Sequence, residues 1–175
     1  PATQVGRAAS RGARMTDIVI SYKQDDKAVV AALAEKLRAL RLAVWFDEAI
    51  PVGSSYDQEI KKQFEAASCV LVCWTPASLA SDYVRAEAMV GRERRILAAC
   101  MLRATPELIE TPPFNLIQYA DLTDWRGEDN HAGWRKLIQR VAELTARPGL
   151  PEYVDLLAQG AREPAALSAW KAQHP

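Results

Sequence analysis

Residues 69–74, CVLVCW, form an apolar run with no polar interruption. A strand with one face in water alternates apolar and polar side chains. A run like this one is covered on both faces, as strands inside parallel sheets are. Parallel neighbours need crossovers long enough to hold a helix, so this run already selects the α/β class. The rest of the chain supplies those parts. Residues 17–21 (DIVIS) are a short β-branched strand, and Val30, Leu33, Leu37 and Leu40 then recur at helical spacing. Residues 43–46 (AVWF) are a second strand, and Tyr56, Ile60, Phe64 and Ala67 a second helical stripe. The apolar run is the third strand, and a helical pattern starts at Tyr83. Residues 96–102 and 116–119 are the fourth and fifth strands, and Trp134, Leu137, Ile138, Val141 and Leu144 mark a closing helix. Between the last two strands, residues 103–115 are a loop broken by Pro106, Pro112 and Pro113, with weak helical signal. Strands alternating with helices predict a flavodoxin-like three-layer sandwich around a five-stranded parallel sheet with right-handed crossovers.

Thr75 and Pro76 stop the third strand, and Ser78, Ser81 and Asp82 are each able to cap a helix. Glu87 follows about one turn into the next helix, beyond the C-terminal end of a buried strand. Open α/β sheets hold their ligands at that edge. The positive end of the helix dipole favours an ionised carboxylate there. Glu87 is therefore the candidate for chemistry; its plainer role is to complement the dipole. Tyr22 and Lys23 follow the first strand at the same edge. Lys23 suits a phosphate as a point charge or stands solvated in its loop. Phe46 and Asp47 border a loop over residues 47–55 (DEAIPVGSS), broken by Pro51 and Gly53, and Asp47 is read as organising that loop. Trp74 and Tyr83 offer rings to a ligand, or Trp74 belongs to the core. Ser78 and Ser81 bond a ligand or cap helices, with capping the reading for Ser81.

Composition excludes several classes. Lys plus Arg and Asp plus Glu are both 22 in 175 residues, so the net charge is zero and no field attracts nucleic acid or anionic lipid. Near-neutrality also leaves little repulsion between copies. No apolar run approaches the roughly 20 residues that span a bilayer. The three cysteines contain no CxxC pair, and Cys69 and Cys73 lie too far apart on one strand to bridge. They read with Cys100 as buried thiols of a reducing, cytoplasmic compartment. There is no GxGxxG, no P-loop and no nucleophile elbow. His131 and His174 lack metal-like neighbours, so no metal is assigned. Arg92, Arg94 and Arg95 complement the end of their own helix.

Residues 1–14 carry no periodic apolar face and read as an N-terminal linker or a remnant of expression. Residues 15–145 are the domain. Residues 146–175 open with ARPGLP and read as a linker and short helical tail, with Tyr153, Leu156 and Leu157 in one helix and residues 165–170 in another, leading to a further sensor domain.

Three stretches together resemble a bacterial Toll/interleukin-receptor (TIR) domain over residues 16–144. They are DIVISYKQDD at 17–26, VWFDEAIPVGSSYDQEI at 44–60 and VLVCWTPASLASDYVRAEA at 70–88. The second is similar to the family's second strand and BB loop, with its Ile-Pro-x-Gly turn. The third is similar to its pattern of strand, Trp-Ser/Thr, Ser and aromatic-x-x-x-Glu, with Tyr83 where the family often has Trp. The resemblance implies the NAD-cleaving type, an NAD+ hydrolase with Glu87 as the catalytic carboxylate. NAD+ is then a substrate, and no cofactor is implied. Tyr22, Lys23, Phe46, Asp47, Trp74, Ser78 and Tyr83 would surround it. It also implies self-association through the 47–55 loop and a place in bacterial antiphage defence. Two alternatives stand beside it: a non-catalytic TIR–TIR interaction module, and a cyclase making a cyclic ADP-ribose isomer.

Overall fold

Side-chain period divides this sheet into two faces. The computed structural model describes residues 16–46, 56–160 and 164–173. Its strands are β1 (Ile18–Ser21), β2 (Val44–Trp45), β3 (Cys69–Trp74), β4 (Leu97–Met101) and β5 (Ala120–Asp121). They lie in the order β2-β1-β3-β4-β5, all parallel. The helices are α1 (Lys27–Ala39), α2 (Tyr56–Ala66), α3 (Pro76–Leu79), α4 (Asp82–Glu93), α5 (Ala132–Leu144), α6 (Leu150–Ala158) and α7 (Pro164–Gln173). This is the expected α/β three-layer arrangement.

Successive strand side chains point to opposite faces. Ile18, Ile20, Cys69, Leu71, Cys73, Ala98 and Cys100 join one buried cluster with α1 and α5. Val19, Val70, Val72, Trp74, Leu97 and Ala99 join the other, beneath α2 and α4. All six residues of β3 are buried, as its uninterrupted apolar run requires. From β1 the chain runs to one neighbour, β2, and then crosses back to the other, β3. With crossovers of one hand, that reversal puts α1 on one face and α2 and α4 on the other.

Two sequence expectations shift. The fifth strand is Ala120–Asp121, paired with Cys100 and Met101, and not residues 116–119. Leu116 instead closes a 3₁₀ turn, Phe114–Leu116, and is exposed; the core position nearby goes to Phe114. The loop before it holds a second 3₁₀ turn, Pro106–Glu110, whose Leu108 is buried.

The three cysteines are free and buried. Burial pushes the Cys69 thiol up to about 12. The hydrogen bond with Cys100, then burial, push the Cys73 thiol well above its ordinary range. The Cys73 and Cys100 sulfurs stand 3.7 Å apart, hydrogen-bonded and without a disulfide between them. Thiols held protonated in this way are inert structural residues.

The segment after Thr145 is built into the fold. Leu150, Tyr153 and Val154 of α6 and Trp170 of α7 enter the α1–α5 core. Arg147 donates to the Arg41 carbonyl at 2.8 Å and to Asp17 Oδ2 at 2.9 Å, fastening the turn before α6 to the start of β1. Trp170 stacks on Tyr153 with ring centroids 4.3 Å apart and donates its indole N–H to the Gly149 carbonyl at 3.1 Å. Among the described residues, the body of the domain therefore reaches Trp170. Residues 1–14, expected as a linker, fall outside them.

Trp170→Ala removes a buried ring, its stacking partner and a hydrogen bond. It is expected to cost about 3 kcal/mol of unfolding free energy, read from urea denaturation of the full chain. A midpoint equal to the parent's would show that α7 contributes nothing to the fold.

Candidate active site

Ser21 ends β1. Alternation along the strand turns it toward the α2–α4 face, beside Val19 and away from Ile18 and Ile20. It is 1% exposed, a polar residue in a strand otherwise made of Ile and Val. A buried hydroxyl needs a partner, and this one donates to Glu87 Oε2.

Local chemistry brings Glu87 there. Thr75 and Ser78 form a capping box at α3: Thr75 Oγ1 accepts from Ser78 N–H at 3.1 Å, and Ser78 Oγ accepts from Thr75 N–H at 2.8 Å. This short helix turns the chain from β3 toward α4. Ser81 then caps α4, its hydroxyl accepting from Val84 N–H at 3.5 Å. Gly91, four residues after Glu87 and on the same side of the helix, lets α4 sit close to the sheet. A Cβ at Gly91 would stand 3.0 Å from Val70 Cβ and 3.2 Å from Leu97 Cδ1.

The edge is braced by Asp26, which is buried. Its Oδ2 accepts from Thr75 Oγ1 at 2.6 Å and its Oδ1 from Arg103 Nε at 2.9 Å. One carboxyl group thus joins the segments that follow β1, β3 and β4.

A cleft of about 960 Å³ opens between α2 and α4 beyond the end of β1. Trp45, Ile60, Phe64, Val84 and Val90 give it apolar walls, and Glu87, Lys23 and Lys61 bring charge to it. This is the switch point of the sheet, where strand order reverses and open α/β folds bind ligands. Glu87 is half-buried. Burial holds its carboxyl above the ordinary value of 4.5, against the downward pull of the Ser21 hydrogen bond.

Tyr22, Lys23, Tyr83 and Glu87 are brought together in this cleft. Tyr83 is 84% exposed, a ring presented to solvent at its border. Phe46 lies in the core, its ring 5.7 Å from that of Tyr22 and under the Arg38 guanidinium at 5.7 Å, so it supports the wall from behind. Two expected site residues lie elsewhere. Trp74 is 1% exposed and packs on Phe114 with ring centroids 4.9 Å apart, so its alternative as core is the correct one. Ser78 is fully buried, with its hydroxyl committed to the capping box. Asp47 and the 47–55 loop fall outside the described residues.

Some site residues escaped the sequence reading. Ser21 carried a signal, a small polar residue closing an apolar strand. Ile60, Lys61 and Phe64 reach the cleft because α2 crosses this face of the sheet, and Trp45 because β2 lies in register beside β1. Arg94 also corrects an expectation. Its guanidinium donates to the carbonyls of Phe64, Glu65 and Ala67, so it closes the end of α2 as well as standing at the end of its own helix.

A family model described as "TIR domain" matches residues 18–138. The crystal structure of the TIR domain of the Toll-related receptor TRR-2 from Hydra magnipapillata aligns with a TM-score of 0.59 at 19% identity, covering 72% of this chain and 98% of that one. The TIR domains of the activated Roq1 resistosome, which recognises the pathogen effector XopQ, align with a TM-score of 0.48 at 16% identity over 75% of this chain and 84% of that one. None of the curated proteins matches.

Two expectations test the site's construction. Asp26→Ala leaves the Thr75 hydroxyl without its acceptor and removes the anchor of Arg103; a loss of roughly 2–3 kcal/mol is expected in denaturant titration. An unchanged stability would mean the brace is idle. The second concerns Glu87, whose folded-state pKa is raised above its unfolded value. The folded protein binds this proton more tightly, so the associated stability is complete below about 4.5 and is lost as pH rises through the folded value. Glu87→Gln mimics the protonated form at every pH. Its melting temperature relative to the parent should climb as pH rises from 4 to 7, and a pH-independent difference would contradict the burial of this charge.

Proposed function

The chain belongs to the TIR domain family, and from that premise we propose that it is an NAD+ hydrolase that cleaves the bond between nicotinamide and ribose. The observation that carries this reading is a carboxylate, Glu87, fastened to the end of a central strand and set in a cleft with apolar walls. That arrangement suits this bond. The nicotinamide nitrogen of NAD+ is cationic, so the bonding pair returns to it and the base departs neutral. No general acid is needed, in contrast to the paired carboxylates of ordinary glycoside hydrolysis. The barrier lies in the positive charge that develops on the ribose, and an ionised carboxylate beside the ribose lowers it. Water adds to the ribose carbon and releases a proton, giving ADP-ribose, nicotinamide and H+.

The cleft supplies further contacts in the same sense. Lys23 and Lys61 bring positive charge for the diphosphate. Trp45 and Tyr83 offer faces to planar rings. Apolar walls lower the polarity around the half-buried Glu87, which strengthens its field on the substrate. We further place the protein in the cytoplasm, as the effector of a bacterial antiphage system, with activity that rises on self-association through the 47–55 loop. A neighbouring copy would then wall off the half of the dinucleotide that one cleft leaves open. A cyclic product would arise from the same cleavage if a group of the substrate, and not water, attacked the ribose carbon.

The test is release of nicotinamide from NAD+ by the full chain over a wide range of protein concentration. Turnover per mole is expected to rise with concentration, and Glu87→Gln to lower it by about 10²–10³ while the variant remains folded. Product analysis separates ADP-ribose from its cyclic isomers. Equal turnover in parent and variant would remove Glu87 from the reaction. No turnover at any concentration would leave the interaction module as the function.

A further inference from the structure

We propose that Ser21 is the positioning residue of this site: its hydroxyl, fixed at the buried end of β1, holds one oxygen of Glu87 and leaves the other for the substrate. The role in turnover rests on the NAD+ cleavage proposed above, whereas the bond itself does not.

The argument begins with β1. Its other residues, Ile18, Val19 and Ile20, are apolar and buried. Ser21 is equally buried, at a position where a β-branched apolar residue would pack better. Burying a hydroxyl costs stability unless it is hydrogen-bonded, and the partner found is a side chain 66 residues away in sequence. Ser21 cannot shift to suit another partner. β1 is a central strand between β2 and β3, and Ser21 itself lies in register with Val72 of β3. A serine side chain also has a single torsion to the oxygen. Glu87, by contrast, has three side-chain torsions and enough exposure to swing. A donor on a rigid element converts that mobile carboxylate into a fixed one, which is what charge stabilisation at a defined atom requires. Glu87 Oε1 has no hydrogen-bond partner among the described residues, so the second oxygen is not committed within the protein.

The same hydroxyl acts on ionisation. Burial favours the protonated acid, and the Ser21 hydrogen bond favours the carboxylate. Other charged or titratable groups share the cleft: Lys23 after β1, Lys61 and Glu65 on α2, and Tyr83 and Arg94 on α4. Lys61 pairs with Glu65 at 4.0 Å, and Arg94 is committed to the carbonyls at the end of α2. All of them remain when Ser21 is changed, so a shift in Glu87 titration on that change reports the hydroxyl.

The experiment uses the full chain as parent, Ser21→Ala and Ser21→Thr, labelled with ¹³C at the glutamate carboxyls. The Glu87 resonance is assigned by its absence in Glu87→Gln. In Ser21→Ala its titration midpoint should move up, and in Ser21→Thr, which keeps a hydroxyl, it should return toward the parent's. The acid limb of the pH–rate profile for NAD+ cleavage should move up in parallel. On that limb, turnover of the Ala variant should be roughly tenfold to a hundredfold lower, the scale of a hydrogen bond to a charged group. A purely structural role for Ser21 would lower turnover equally at every pH and leave the midpoint in place. A midpoint unchanged in a folded Ser21→Ala protein overturns the proposal. If the parent releases no nicotinamide at any concentration, the proposed reaction falls, while the carboxyl titration still decides whether Ser21 sets the state of Glu87.

Discussion

The buried carboxyl of Asp26 is the joint on which the C-terminal edge of this sheet depends. It accepts from the Thr75 hydroxyl and from Arg103, and so ties together the segments leaving three parallel strands. Thr75 serves twice, because the oxygen that donates to Asp26 also accepts the Ser78 N–H that starts α3. A buried carboxyl is costly to desolvate and is tolerated only when its bonds are made. Here those bonds fix the path from β3 into α4, and that path determines where Glu87 arrives. The bracing therefore lies outside the cleft and below the residues that a ligand would touch.

The cleft itself follows from topology. After the reversal at β1, the crossovers from β2 to β3 and from β3 to β4 run the same way, so α2 and α4 lie side by side on one face with the cleft between them. Their separation gives the apolar walls, and alternation along β1 turns Ser21 toward Glu87 on that same face. A parallel sheet with a switch point makes the space, and two polar side chains on rigid elements give it chemical character.

Much of this was legible in the sequence, for identifiable reasons. The run at 69–74 gave β3, the stripe from Val30 to Leu40 gave α1, and the serine-rich turn before Tyr83 gave the start of α4 and hence the place of Glu87. The misreadings share a cause. In a strand covered on both faces, periodicity does not tell which residue ends in the core, so Trp74 looked as available as Tyr83. Its partner, Phe114, lies in a segment with little pattern of its own. The fifth strand was misplaced because Leu116 is apolar yet exposed, while Ala120 is small yet paired. Arg94 closing α2, and α6 with Trp170 completing the core, depend on contacts between distant stretches, and local spacing carries no record of those.

Gly91 has a consequence for any attempt to transplant or redesign this cleft. It touches no ligand-facing surface, yet the atom it lacks sets the thickness of the gap between α4 and the sheet. A single methyl there would press on Val70 and Leu97 and lift the helix by tenths of an ångström. The Ser21–Glu87 hydrogen bond joins that helix to that sheet, so the carboxylate would shift against its donor while every cleft residue kept its identity. The geometry of this site is specified partly by an absence, and a comparison confined to the residues lining the cleft would judge such a variant intact.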